Sequence, residues 1–475
     1  MKFYQSYSHI SARAIAYLFH ALTVIVLVSA GFMGCKKFIT VDPPKTQIAG
    51  AVVFNDDNTA LAAVTGIYSQ MSGSSGNFIR GGNQGFSYMA GLSSDELISF
   101  STTPNQNEFY NNSLSKTNST IASLWAELYK YIFSANSIIE GVNASSKLST
   151  PVKNQLIGEA SFIRAYNYFY MVNMFGDVPL AISSDYEINR VLKRSSVASV
   201  YGQVISDLVK AESLLPESYS SYRNERVRPC KYTASALLAR IYLYQGEFVK
   251  AEQKSNEVIS NTGLYRLSKN LDSVFLKNSE EAIWQLLPVV PGYNTQDAFY
   301  FILTASPTNA ALSTTLINAF EPGDLRKGKW TSVLNTPTGN YYYPFKYKIK
   351  SSNTISEYSM ILRLSEQFLI RAEARALQNN ITAALDDLNL IRLRSGLSPI
   401  LTNDKNLLLS AIAHERQTEL FTEWGHRWLD LKRTQTADVV LGITKAPNWQ
   451  PADVLYPIPQ SEIISDPVLS QNTGY

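Results

Sequence analysis

Apolar residues recur every three or four positions through most of this 475-residue chain. That is the period of one helix face, and no stretch sustains the two-residue alternation of a half-buried strand. Leu61, Val64, Tyr68 and Met71 form one stripe, entered through the capping oxygens of Asn55, Asp56 and Asp57. Leu124, Leu128, Tyr131, Ala135, Ile138 and Ile139 form a longer one. Phe162, Tyr166, Phe169 and Val172 form a third, which Gly176-Asp177-Val178-Pro179 ends because Pro179 cannot continue a helix. The same spacing predicts helices over 197–214, 232–245, 247–260, 364–378, 382–394 and 406–423. The chain is therefore expected to be all-α, with few, short strands. At 45% hydrophobic and 17% charged residues it holds enough apolar surface for a packed core.

The first 34 residues read as an address. Lys2 and Arg13 are followed by an almost wholly apolar run, Ala14 to Ala30, and then by Gly31-Phe32-Met33-Gly34-Cys35. A positive start, an apolar stretch and a small-residue junction make an export signal. A membrane anchor is the competing reading, since 17 apolar residues sit at the lower edge of a span. Cys35 directly after Gly34 decides for export, because the arrangement resembles a bacterial lipobox, although Phe32 stands where such signals usually carry Leu. In a lipobox the Cys thiol is diacylated and becomes the mature N-terminus, and two acyl chains hold a protein stably where one does not. Cys230 would then be the one free thiol, barring any intrachain disulfide, and reads as a small buried apolar residue. The formal charge of +3 falls to +1 without Lys2 and Arg13, which argues against a nucleic-acid surface.

Internal repetition points to a helical-repeat scaffold. Within 231–263, Leu238, Ala239, Tyr242 and Ala251, with Gly246-Glu247-Phe248 at the turn, match a tetratricopeptide (TPR) helix pair. Small residues at the facing positions let the two helices approach closely. A weaker match covers 364–396: Phe368, Ala372, Ala384 and Leu388 fit, whereas Arg371 and Arg375 stand where Leu and Tyr are expected. Two matches so far apart suggest a repeat scaffold interrupted by inserts, not a continuous solenoid. Two inserts stand out. Residues 72–119 intersperse Phe78, Phe86, Tyr88, Phe100, Phe109 and Tyr110 among Gly, Asn, Ser and Thr. Residues 289–358 do the same with Tyr293, Trp330, Tyr341, Tyr342, Tyr343 and Tyr347. Loops this long are functional or disordered, and the aromatic content argues for function.

Several blocks resemble the SusD/RagB family of outer-membrane nutrient-binding lipoproteins. After Cys35-Lys36-Lys37-Phe38 comes Val41-Asp42-Pro43-Pro44. Glu159-Ala160, Arg164-Ala165, Tyr168-Phe169 and Phe175-Gly176-Asp177-Val178-Pro179-Leu180 are similar to the family's central signature. Glu415-Arg416, Glu419-Leu420, Gly425-His426-Arg427-Trp428, Asp430-Leu431 and Lys432-Arg433 are similar to its carboxy-terminal block. Pro457-Ile458-Pro459, Glu462-Ile463, Gln471-Asn472 and Gly474-Tyr475 are similar to its terminus. The resemblance implies a signal peptide over 1–34 and one domain over 35–475, with an N-terminal half at 36–230 and a RagB/SusD half at 270–475. It implies four TPR-like helix pairs, a lipid-anchored place on the outer cell surface, and a SusC-like TonB-dependent transporter as partner. It implies capture of a glycan or peptide nutrient without catalysis.

Candidate chemistry is sparse. His414-Glu415-Arg416-Gln417-Thr418 begins like a zinc helix but has Thr418 where the second His must stand, so no metal site is expected there. Glu415, Arg416, Glu419, His426, Arg427 and Asp430 read instead as a structural charge network. Among adjacent acids, Asp95-Glu96 in the first insert is the pair kept as a possible ligand contact, because glycoside hydrolysis needs two carboxyls facing across a cleft and neighbours on a helix diverge. No G-x-S-x-G elbow and no phosphate loop occurs, and no cofactor is expected. The positive expectation is sugar binding by the inserts, with pyranose faces stacking on aromatic rings and polar side chains meeting the hydroxyls. Stacking that removes roughly 100 Å² of apolar area contributes about 2.5 kcal/mol gross, leaving net affinities on the order of μM to mM. The candidates are Phe78, Arg80, Tyr88, Asp95, Asn105, Tyr110, Tyr293 and Trp330.

Overall fold

The computed structural model describes residues 50–73, 79 and 81–475, together with Tyr17, His20, Ala21 and Thr23. Cys35, Phe78, Arg80 and nearly all of the expected signal peptide lie outside them. Residues Met1–Val53 and Phe54–Tyr475 form separate units, and the hydrophobic core lies in the second. No helix among the described residues is long and apolar enough to cross a membrane.

Helices of eight or more residues run in the order α1 (Asp57–Ser72), α2 (Phe86–Ser93), α3 (Pro104–Asn111), α4 (Ser119–Ala144), α5 (Thr150–Phe175), α6 (Val197–Leu214), α7 (Lys231–Tyr244), α8 (Phe248–Ile259), α9 (Leu364–Leu377), α10 (Ile381–Arg394), α11 (Lys405–Glu419), α12 (His426–Arg433) and α13 (Ala437–Thr444). Their ends follow from local chemistry. Asp56 caps α1 by accepting from the amides of Asn58 and Thr59 at 2.9 and 3.2 Å. Asn118 caps α4 in the same way through Thr120 and Ile121. Gly176, at φ 71°, turns the chain out of α5.

Consecutive neighbours pack in one series, α4–α5–α6–α7–α8–α9–α10, with α11 against α9. The two TPR-like pairs, α7–α8 and α9–α10, therefore stack side by side through α8 and α9. The repeat scaffold is interrupted by an insert, as expected: the chain between Ile259 and Leu364 loops out and returns to the same edge of the stack. Helix α5 is buried on nearly every side from Leu156 to Phe175 because α4, α6 and α1 all pack on it.

Buried arginine–carboxylate pairs link the layers. Arg164 of α5 grips Asp207 of α6 at 2.8 and 2.6 Å, and Arg240 of α7 grips Glu366 of α9 at 2.6 and 2.7 Å. Arg371 and Arg375, the two departures from the repeat pattern, both reach Asp387 of α10. They also hold Asn256 and Glu252 of α8 respectively. Cys230 is fully buried beside Thr233 and Tyr265.

Among the described residues the strands are short and pair as four antiparallel ribbons: β1 (Leu97–Ser99) with β5 (Ala310–Leu312), β2 (Val178–Pro179) with β3 (Arg194–Ser195), β4 (Ala282–Leu286) with β8 (Ser359–Arg363), and β6 (Thr331–Thr336) with β7 (Gly339–Pro344). The inserts are thus more ordered than loops. The first carries α2, β1 and α3; the second carries a short helix, Gln296–Phe301, strand β5 and the β6–β7 hairpin. A satellite core of Ala298, Ile302 and Tyr343, flanked by Leu303, Leu334, Phe345 and Tyr347, lets the second insert hold its own shape.

Candidate functional site

The two inserts, some 200 residues apart in sequence, meet. Strand β1 pairs with β5 in the register Leu97↔Leu312, Ile98↔Ala311 and Ser99↔Ala310. The Phe100 amide extends the ladder by donating to the Asn309 carbonyl at 2.7 Å. Beneath the ribbon, the Gly82 amide donates to Asp297 Oδ1 at 2.9 Å, and Tyr88 stacks on Phe301 at 6.1 Å. Gly82 sits at φ +83°, and a Cβ there would stand 2.7 Å from the Tyr300 ring, so a side chain would force the inserts apart. Burial pushes the Asp297 carboxyl up to about 6, against the pull of the Gly82 N–H.

Ring surface on this joint comes from half-buried aromatics. Phe100 of the first insert meets Tyr341 of the second edge to face at 5.3 Å, and Tyr341 hydroxyl exchanges a hydrogen bond with Thr338 at 3.1 Å. Phe299 stands against Tyr293 at 4.6 Å and Tyr300 at 5.1 Å, with Lys350 ammonium over its face at 5.2 Å. Tyr342, on the opposite face of its strand, is 37% exposed. Polar groups flank Phe100: Asn107 Nδ2 donates to the Ser101 carbonyl at 2.8 Å, and Ser99 hydroxyl donates to Asn107 Oδ1 at 2.7 Å. Half-exposed rings with amides and hydroxyls beside them can stack on a sugar's C–H face and meet its hydroxyls.

The residues singled out from sequence divide sharply. Tyr293 is half-buried within the ring cluster. Asn105 is half-buried at the first insert's edge, its side-chain amide donating to Ser119 Oγ at 2.5 Å. Tyr110 is half-buried with Lys445 ammonium 4.1 Å from its ring centre. Three candidates are corrected. Trp330 is wholly buried, its indole N–H donating to the Leu271 carbonyl at 3.0 Å, so it offers a ligand no open face. Tyr88 is sealed under the inserts by Phe301 and donates to Gln106 Oε1. The Asp95 carboxylate is buried and taken up by Arg427 in two bonds of 2.7 Å. Phe100 and Tyr341 stood among the insert aromatics but not among the candidates, and Phe299 and Tyr300 were not named. The meeting of Phe100 with Tyr341 accompanies the β1–β5 pairing, which no local pattern announces.

The carboxy-terminal block forms the charge network its composition suggests. Glu419 accepts from Arg363 at 2.6 Å, Arg394 at 2.5 Å and Arg326 at 2.9 Å. Burial alone would raise its carboxyl, but Arg394, Arg363 and Arg326 outweigh burial and hold it well below the usual carboxylate range. Arg416 grips Asp430, and Arg433 bridges Asp430 and Glu373. Burial, joined by Arg240 and Arg416, keeps His426 neutral. His414 bonds the Ala319 carbonyl at 2.7 Å, and among the described residues no cluster of His, Cys, Asp or Glu is arranged to hold a metal ion.

A cavity of about 500 Å³ lies elsewhere, among the α7–α8 turn, α9, α11 and α12. Its charged lining is already paired, Arg433 with Glu373 and Asp430, and Arg416 with Asp430. The aromatic joint is the better candidate because it gathers several half-exposed rings from both inserts.

Comparison with known proteins fits this architecture. Residues 55–243 match a family model described as starch-binding, associating with the outer membrane, and residues 323–475 match that of the SusD family. A SusD-like protein of Formosa agariphila is 25% identical over 518 aligned positions, covering 96% of this chain and 99% of its own length. A SusD superfamily structure from Bacteroides vulgatus superposes with a TM-score of 0.76 at 21% identity, covering 89% of this chain and 100% of the other. A structure described as a laminarin-binding SusD-like protein superposes with a TM-score of 0.75 at 23% identity, over 89% and 100% of the two chains. The two family models fall in order on the helical stack and on the block that carries the buried charge network, and the whole-length relatives bridge them: this chain belongs to the SusD/RagB family.

Proposed function

We propose that the chain is a cell-surface lipoprotein that binds a glycan on the aromatic joint of its two inserts. It passes the glycan to a SusC-like TonB-dependent transporter in the outer membrane. The observation that carries the glycan reading is the Phe100–Tyr341 pair, which brings half-exposed rings from two distant inserts together beside amide and hydroxyl groups. The carbohydrate-related descriptions of the matched family model and of one structural neighbour support the same ligand class. Weak binding suits a protein that must release its ligand onward. No catalytic step is assigned, because Asp95 is committed to Arg427 and Glu96 is sealed in the core.

Calorimetry against a panel of oligosaccharides, starting with laminarin fragments, tests this reading. One glycan should bind with Kd between about 1 μM and 1 mM. Tyr341→Ala should weaken it at least about tenfold, the loss of one stacked ring, with the melting temperature nearly unchanged. Heat with peptides and silence toward glycans would move the chain to the peptide-binding reading. Release of cleaved sugar would make it a glycosidase.

A further inference from the structure

A second concave surface is lined by no residue of either insert. Helix α4, the segment following β2 through residue 192, and the short helix Gln460–Ser465 enclose a cavity of about 260 Å³. Tyr129, Ile132, Phe133, Pro179, Leu192 and Leu469 supply apolar wall. The charged lining is of one sign, Glu462 and Asp466. Burial pushes the Glu462 carboxyl up, the Trp125 side chain hydrogen-bonded to it pulls it down, and Asp466 adds a smaller upward push.

Hydrogen-bonding capacity here is on the accepting side. Asn189 donates to the Ser183 carbonyl at 2.7 Å, while its own buried Oδ1 accepts from no described group. Asn136 is committed, donating to the carbonyls of Ala181 and Ser183 and accepting from Arg164. The Ser183 hydroxyl donates to Glu140. Arg194, the cation that acts on Tyr129, is held by the carbonyls of Asp177, Phe175 and Ser470 and by the Asn472 side chain.

Phe133 opens the cavity wall to solvent, and the segments that line the cavity expose further apolar side chains beside the Arg190–Glu187 pair. Phe133 is 52% exposed, Ile182 54%, Tyr186 73% and Ile464 71%, with Ile188 and Val191 also exposed. Clustered exposed apolar side chains with a concave centre mark a contact surface. We propose that this groove docks a protein segment carrying a Lys or Arg flanked by apolar residues. The cation sits against Glu462, Asp466 and Asn189 Oδ1, and its apolar neighbours cover Phe133, Ile182 and Tyr186. The assignment rests on charge complementarity and stands apart from the glycan reading.

The test is calorimetric titration of the mature chain with two blocked pentapeptides, Leu-Leu-Arg-Leu-Phe and Leu-Leu-Glu-Leu-Phe. The Arg peptide should bind with Kd below about 1 mM, and the Glu peptide at least tenfold more weakly. Glu462→Gln/Asp466→Asn should weaken the Arg peptide at least tenfold while leaving glycan titrations unchanged. Phe133→Ser, at an exposed position, should weaken the Arg peptide too. Equal binding of both peptides, no binding of either, or indifference to the double variant overturns the proposal. Octylammonium binding as tightly as the Arg peptide would make this a small-amine site, and self-association abolished by Phe133→Ser would make it a contact between copies; either result overturns it as well.

Discussion

Glu96 lies in the core beside Asp95, and its Oε1 accepts from the Thr422 amide at 3.2 Å. Burial first, then the Asp95 charge, pushes its carboxyl up to about 8, against weaker opposing pulls from Thr422 N–H, Lys346 and Arg427. Between the unfolded carboxyl's ordinary value of 4.5 and about 8, the folded chain keeps a proton that the unfolded chain releases. Stability contributed by this group is therefore greatest at the acid end of the window and falls as pH rises through it. Glu96→Gln keeps the acceptor and removes the titration. Urea unfolding should show the variant gaining at least about 1 kcal/mol on the natural chain between pH 5 and pH 8; a constant difference would show that Glu96 does not titrate there. Residue chemistry of this kind was legible only in part. Asp95-Glu96 stood out in the sequence as a possible ligand contact, yet an acid's role depends on whether Arg427, 332 positions away, reaches it. The same holds for Trp330, whose type suits sugar stacking and whose place between Leu271 and the buried cations forbids it.

Between helices, the departures from the repeat pattern turn out to be couplings. A repeat with Leu and Tyr at positions 371 and 375 would pack on apolar contact alone; here Arg371 and Arg375 converge on Asp387, which is 2% exposed. Arg371→Leu restores the pattern but withdraws two of the three bonds that Asp387 receives from arginine. Removing one partner of a buried pair costs about 3–5 kcal/mol, and a value near 2–3 is expected here because Arg375 still reaches Asp387. Arg371→Leu/Asp387→Leu should recover part of that loss, since no buried charge is then left alone. Chemical unfolding of both variants checks this, and a double variant no more stable than the single would show that the packing, not the charge, sets the loss. Helices were legible because their apolar period is local: 197–214 and 382–394 fall within a residue of Val197–Leu214 and Ile381–Arg394. The inserts were not, because β1 finds β5 more than 200 residues on and because strands of three residues leave no period to count.

Across the whole molecule, the stack, the aromatic joint and the proposed tether are expected to make separable contributions. On the lipoprotein reading, attachment rests on the acyl chains at Cys35. Each buried methylene contributes about 0.8 kcal/mol, and two chains hold a protein stably. Cys35→Ser should therefore move the protein from the membrane fraction to the soluble fraction, while calorimetry of the purified variant returns the glycan affinity of the natural chain. Pull-down from detergent-solubilised outer membrane should recover a large β-barrel with the natural chain. The Ser variant should recover it too when added to the same extract, since docking uses protein surface and the lipid serves to raise local concentration. Persistence of Cys35→Ser in the membrane fraction after a high-salt wash would place the attachment outside Cys35. Recovery of the natural chain without any barrel would leave a surface binder that hands its ligand to nothing, and the transporter reading would fall while the glycan reading stood.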